Sequence, residues 1–229
     1  MKQKRVFSTE LAYAVGILIL ALGTALMTRA DFGLSMVVAP AYVIHLKLSQ
    51  SLPFFSFGMS EYALQAVLLI ILALVMGRFK RGYLFSFVTA VIYGFALDGA
   101  LALAAPLPMP GVAGRAVFFL VGFFLSSAGV SFLFHTYLSP EAYELFVKEV
   151  AQRFRKDLSK TKTVYDLCSC LVSILLSFLF FGFGRFEGVK LGTVFCALVN
   201  GWLIGQCSRW LETRFDFRDS LPGREMFSK

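Results

Sequence analysis

Six long apolar stretches crowd into 229 residues, and their length is what most limits the fold. They run from about Leu11 to Thr28, Tyr62 to Met76, Gly82 to Ala105, Ala116 to Phe134, Val164 to Phe183 and Val189 to Cys207. Crossing a hydrocarbon core takes roughly 20 mostly apolar residues, and most of these stretches qualify. The second is short and is expected to extend back through Glu61. Composition points the same way: 58% hydrophobic residues, 16% charged residues and a mean hydropathy of +0.73 are far from a soluble domain of this size. The 26 phenylalanines would overload a water-soluble core, whereas helices facing lipid expose them without penalty.

Charge orients the spans, because Lys and Arg beside short loops stay on the cytoplasmic side. With six spans both ends share a face. The N-terminus, the second-to-third connection, the fourth-to-fifth connection and the C-terminal tail hold 17 of the 22 basic residues. The other face has only Arg29, Lys47, Arg115, Arg185 and Lys190. Both termini are therefore expected in the cytoplasm, in a bacterial cytoplasmic membrane. The net charge of +8 is explained by this topology, so no nucleic acid partner is expected. Met27-Thr28-Arg29 offers no small-residue cleavage site, so the first span is read as retained rather than as a signal peptide. Cys168, Cys170, Cys196 and Cys207 fall in the last two spans without a zinc spacing, and are read as small packing residues.

The chain divides into similar halves. Sliding the second half onto the first by 106 residues pairs Gly16 with Gly122 and Gly23 with Gly129. After each of these spans comes a segment too short or too polar to cross, roughly Leu34 to Leu46 and Pro140 to Phe154. The second opens on a helix-start signal, Ser139-Pro140-Glu141. Small shifts for loop length then pair Tyr62 with Tyr165 and Tyr93-Gly94 with Asn200-Gly201. Three spans per half is odd, so the halves must have opposite orientation. The expected fold is an all-α membrane protein of six transmembrane helices in two inverted three-helix repeats. Each repeat has a short interfacial or re-entrant helix after its first span. The expected division is a single transmembrane domain over 1–229, with repeats at 11–105 and 114–210 and a cytoplasmic tail at 211–229. The glycines are first of all packing residues, with Ala12 and Gly16, and Gly201 and Gly205, as small-residue pairs at a spacing of four.

No hydrolase, kinase, zinc or nucleotide motif is present, so neither an enzyme nor a cofactor or metal is expected. What remains are polar groups at membrane depth, where an ionisable side chain costs about 2.5 to 3.5 kcal/mol and so tends to face a cavity or a partner. Asp98, just beyond Tyr93 in the third span, is a substrate-cation or proton site, or else a carboxylate reaching the outer interface. Asn200, at the centre of the sixth, either coordinates a substrate or hydrogen-bonds between helices. Asp166 and Glu61 sit in opening turns on opposite faces beside Tyr165 and Tyr62, where the helix dipole welcomes them and where gates would also stand. Asp98, Asn200, Tyr93 and Asp166 are the expected substrate residues, with Glu61, Tyr62 and Tyr165 as gates. Arg29 and Asp31 read as an interface ion pair or an anion site, with His135 in the matching inner position. Between Glu144 and Lys162, Phe146, Val150 and Phe154 at helical spacing mark an amphipathic helix on the inner leaflet.

Several of these residues together resemble the bacterial YitT/YczE-like family of small multi-span membrane proteins. They are Gly23 with Asp31-Phe32-Gly33-Leu34, Gly94 and Asp98, Gly129 with Ser139-Pro140-Glu141, Asp166, and Gly192-Thr193 with Gly201. The resemblance covers about residues 10 to 212. It departs from the pattern at the first exit, where Ser35-Met36-Val37 intervene before Pro40. It implies a cytoplasmic-membrane location and two similar halves, without a defined substrate. The function expected is a small-solute transporter or permease with its site between the repeats. The alternatives are an accessory protein acting through its amphipathic helix and the membrane subunit of an importer. The partners expected are the lipid bilayer, a small-molecule or ion substrate, a cytosolic protein or ATPase, and a second copy of the chain.

Overall fold

The computed structural model describes residues 5–109, 111–156 and 158–220. Lys2, Lys4, Arg224 and Lys229, which helped to orient the chain, lie outside the described residues. The order is β1 (Arg5–Ser8), α1 (Thr9–Ala30), α2 (Ala39–Leu48), α3 (Phe57–Met76), α4 (Arg81–Ala104), α5 (Gly111–Phe134), α6 (Ala142–Arg153), α7 (Leu158–Phe181), α8 (Leu191–Arg214) and β2 (Phe215–Arg218). Among the described residues, six helices (α1, α3, α4, α5, α7 and α8) are long and apolar enough to cross a membrane. Their outward side chains, such as Leu18, Leu74, Phe95, Leu120, Leu179 and Leu198, are exposed. A surface this apolar matches lipid and would cost heavily in water. The molecule is a multi-span helical membrane protein.

Local signals set the ends of the helices. Ser8 caps α1, and Asp31 ends it in a left-handed conformation (φ 55°) with its N–H on the carbonyls of Met27 and Thr28. The second expected stretch begins at Phe57 instead of Tyr62, because the Ser56 hydroxyl caps α3 by accepting the Met59 N–H at 3.0 Å. Gly77, at φ 65°, ends α3 as only a residue without Cβ does at no cost. The first short helix starts at Ala39 instead of Leu34. Pro40 fits its first turn, and the preceding backbone is held elsewhere: Leu34 N–H donates to Thr193 Oγ1 at 3.1 Å. The tail expected from residue 211 begins inside α8, which runs to Arg214. It continues as β2, paired in parallel with β1 from Arg5 opposite Phe215 to Ser8 opposite Arg218. This ribbon sets the first span's start and the last span's end on one face of the bundle.

Glycine decides the centre. α1 and α5 run antiparallel, with Gly16 against Gly129 and Gly23 against Gly122. A Cβ on Gly23 would stand 2.5 Å from Ser126 N, and one on Gly129 2.6 Å from Leu20 N, so the backbones touch. α4 lies on α1 and α8 on α5. α2 packs on α3 and α7, and α6 on the same two helices. Gly58 of α3 meets Gly94 of α4, where a Cβ would fall 2.0 Å from the Gly94 carbonyl oxygen. Gly201 and Gly205, expected to be a packing pair, have nothing within 4 Å of where a Cβ would be. The reason is that α8 leans on α5 and barely touches α7. All four cysteines are free.

Candidate functional site

A cavity of about 1450 Å³ runs through the bundle beside the crossing of α1 and α5. One end is closed by residues 34–38 before α2, and the other is walled by α6 and the loop before it. The middle is mostly apolar, with Leu20, Met27, Phe123, Val130 and Ile204 on its walls. A few polar groups break this lining. Tyr93 OH donates to Thr24 Oγ1 at 3.0 Å, tying α4 to α1. Ser127 Oγ donates to Asn200 Oδ1 at 2.9 Å, tying α5 to α8, and Ser126 also lines the cavity. A concave apolar space with few fixed polar groups is the usual form of a small-molecule site.

The α6 end is charged. Lys80, Lys148, Arg155, Lys156 and Lys162 line it with Glu141, Glu144 and Glu149. Lys80 reaches Glu149 at 2.5 Å, and Lys162 reaches Glu144 at 3.1 Å and Asp166 at 3.5 Å. Among the described residues no ion pair involves Lys148, Arg155 or Lys156, so this mouth carries surplus positive charge. Behind it Glu61 is fully buried, accepting a hydrogen bond from Tyr143 OH at 2.8 Å. Glu141 is 8% exposed. Burial first, then the charges of Glu61 and Glu144, push the Glu141 carboxyl up to about 8 against the opposing pull of Lys162.

The structure gathers some of the expected residues and separates others. Tyr93 and Asn200 both line the cavity, and Asp166 stands behind its mouth through Lys162. Asp98 does not line the cavity. Its carboxylate accepts the Gly58 N–H at 2.8 Å and the Ser56 hydroxyl, so it caps α3 from the neighbouring helix. Glu61 lies in the interior between α3 and α6, and Tyr165 packs on Phe146 at 5.6 Å between ring centres. Tyr62 lies against Gly94, beside the Phe95 ring at 6.5 Å. Arg29 and Asp31 do not pair with each other. Arg29 donates to the Leu107 carbonyl at 3.2 Å, whereas Asp31 binds Lys190 at 2.5 Å and Arg115 at 3.2 Å. The left-handed cap turns Asp31 towards α5 and α8, away from its chain neighbour. His135 Nδ1 donates to the Ser131 carbonyl at 2.7 Å, with Nε2 3.3 Å from Glu212 and the ring 4.6 Å from Phe217.

Thr24, Ser126, Ser127 and Tyr143 are not singled out in the sequence, and Glu141 stands there only as part of a helix-start signal. Hydroxyls scattered through apolar spans carry no pattern, and Glu141 looks like an ordinary first-turn acid until α6 is seen to lie in the interior. Fold and site together define a six-span helical membrane protein built around an internal cavity. The chain matches a family of unknown function (DUF6198) over residues 7–209 and belongs to that family. No curated protein and no solved structure matches it.

Proposed function

We propose that this protein is a small-solute transporter whose site is the central cavity, between two inverted repeats. The observation that carries the reading is the cavity itself, mostly apolar at mid-span with Tyr93, Thr24, Ser126 and Asn200 around it. Paired contacts support the inverted plan. α4 on α1 answers α8 on α5, and α2 on α7 answers α6 on α3. The two exit loops are held alike: Thr193 of α8 grips Leu34, while Ser86 and Thr89 of α4 donate to the carbonyls of Pro140 and Ser139 at 2.7 and 3.1 Å. Binding sites between inverted repeats near mid-membrane are the rule among secondary transporters. The similarity to YitT/YczE-like proteins agrees with two such halves.

In this reading Tyr93 and Asn200 contact the solute, and Asp166 holds Lys162 at the mouth. Asp98 acts on the fold by capping α3. The basic mouth favours an anionic solute, since a one-signed cleft concentrates opposite charge. Positive charge on the α6 face supports a cytoplasmic position for that face, and with it for both termini, in a bacterial membrane. The apolar side of α6 (Ala142, Tyr143, Val147, Ala151) is buried within the protein, so a cytosolic partner or ATPase would meet only its charged side.

Thermal-shift screening of the purified protein against organic anions and other metabolites tests the reading. A stabilising ligand should lose its effect in Asn200→Ala and Tyr93→Phe, and should accumulate in proteoliposomes containing the parent protein. A ligand whose shift survives both substitutions sinks the assignment.

A further inference from the structure

Two buried acids meet where α6 docks on α3, and the chemistry around them is that of a proton site. Glu61 Oε2 takes the Tyr143 hydroxyl at 2.8 Å, and the Gln65 side chain also acts on this carboxylate as a donor, but Glu61 Oε1, in a side chain with no exposure, meets no well-formed hydrogen bond among the described residues. Glu141 Oε1 is likewise buried without a partner. No ion pair reaches either carboxylate among the described residues, and Lys162 is engaged by Glu144 and Asp166. One turn along α3, Gln65 Oε1 accepts the Ala142 N–H at 3.0 Å. A backbone N–H requires an oxygen there, which fixes the amide orientation and turns the Gln65 NH₂ away from Ala142. Its nitrogen is left to act on Glu61, without a well-formed hydrogen bond among the described residues.

We propose that Glu61 and Glu141 form a proton-binding site that holds α6 against α3, and that this proton is the coupling ion of the carrier. The second clause rests on the transport reading; the first does not. Glu141 borders the cavity, so a proton from cavity water adds to one carboxylate oxygen and leaves by the same route, with no other bond changed. A metal cation fits poorly. The groups turned to Glu61 include a phenolic donor, the Gln65 oxygen is already taken, and no cluster of three metal-binding side chains occurs among the described residues.

The surrounding groups come from every side. Tyr93 of α4 and Tyr165 of α7 act electrostatically on Glu61, and Glu144, Lys162 and Tyr13 of α1 interact with Glu141. From α2 the contact is the Ala41 carbonyl, which accepts from Ser60 Oγ at 2.6 Å. Two ionised carboxylates across one buried junction repel, and a shared proton removes that repulsion. Glu141 holds its proton more tightly here than in water. Docking of α6 is therefore unaffected below the ordinary carboxyl value of 4.5, weakens as pH rises from there, and is weakest above about 8. Because α6 walls the cavity, its release would open the site.

An infrared titration from about pH 5 to pH 10, on purified protein in nanodiscs without substrate, tests the site. The parent protein should show the C=O stretch of a buried protonated carboxyl, disappearing with a midpoint near 8. Glu141→Gln should lose that titration, and Glu141→Asp should keep it with a displaced midpoint. Glu61→Gln should lower the midpoint by removing the neighbouring charge. Absence of such a band above about pH 6 in the parent protein overturns the proposal, as does its persistence unchanged in both Gln variants. Dependence of the band on sodium concentration at fixed pH would overturn it in favour of a metal cation. Since no solute is used, failure here leaves the transport reading standing, and failure of transport leaves the site standing.

Discussion

The first three spans and the last three differ in how tightly they pack. In the first, α3 and α4 meet backbone to backbone at Gly58 and Gly94, and 33% of the α3 apolar window is buried. In the second, α7 and α8 stand apart, Gly201 faces open space, and only 11% of the α7 window is buried. A glycine therefore identifies itself as a packing residue only through what opposes it. The closed half acts as a frame, and the loosely packed half, with α6 beside it, is where movement costs least.

The sharpest way to break this contrast is to fill the contacts. Gly58→Val or Gly23→Val forces a side chain into facing backbone and should cost at least about 3 kcal/mol, read as lost expression and a collapsed melting transition. Gly201→Val should stay within about 0.5 kcal/mol of the parent in the same assay. Equal losses at both places would dissolve the distinction between the halves.

Next in size is Asp98→Ala, which removes two hydrogen bonds from the start of α3 and should cost about 1 to 2 kcal/mol. Uptake, once a solute is known, should fall only in proportion to folded protein. A fall in uptake per folded molecule would return Asp98 to the substrate site.

The two loop clamps offer a finer test. Thr193→Val strands the buried Leu34 N–H and should cost about 1 to 2 kcal/mol by chemical unfolding. Ser86→Ala leaves only the Pro140 carbonyl without its hydroxyl donor and should cost less, about 1 kcal/mol. Lys80→Met, at the half-exposed pair with Glu149, should change stability by less than about 1 kcal/mol, with the difference shrinking in high salt.

What the residues announced, and what they withheld, follows from the range of each interaction. Runs of apolar residues must become helices in lipid because no water remains to satisfy a bare backbone. Six stretches therefore meant six long helices, and Ser139-Pro140 marked the second of two short ones close to where α6 begins. Tyr93 and Asn200 stood out because a polar group at mid-span needs a reason. The β1–β2 ribbon could not be foreseen, since its strands are separated by nearly the whole chain and neither is long enough to carry an alternation of its own.

By itself the sequence determined the number of spans, the antiparallel succession forced by short loops, and the residues too polar to face lipid. Only the tertiary structure decided what those residues meet: that Asp98 caps α3, that Asp31 pairs with Arg115 and Lys190, and that Glu61 and Glu141 are buried at one junction. Burial and pairing depend on helix rotation and crossing. Here these are fixed by close contacts between glycines far apart in the chain, such as Gly16 and Gly129, and no local pattern records them.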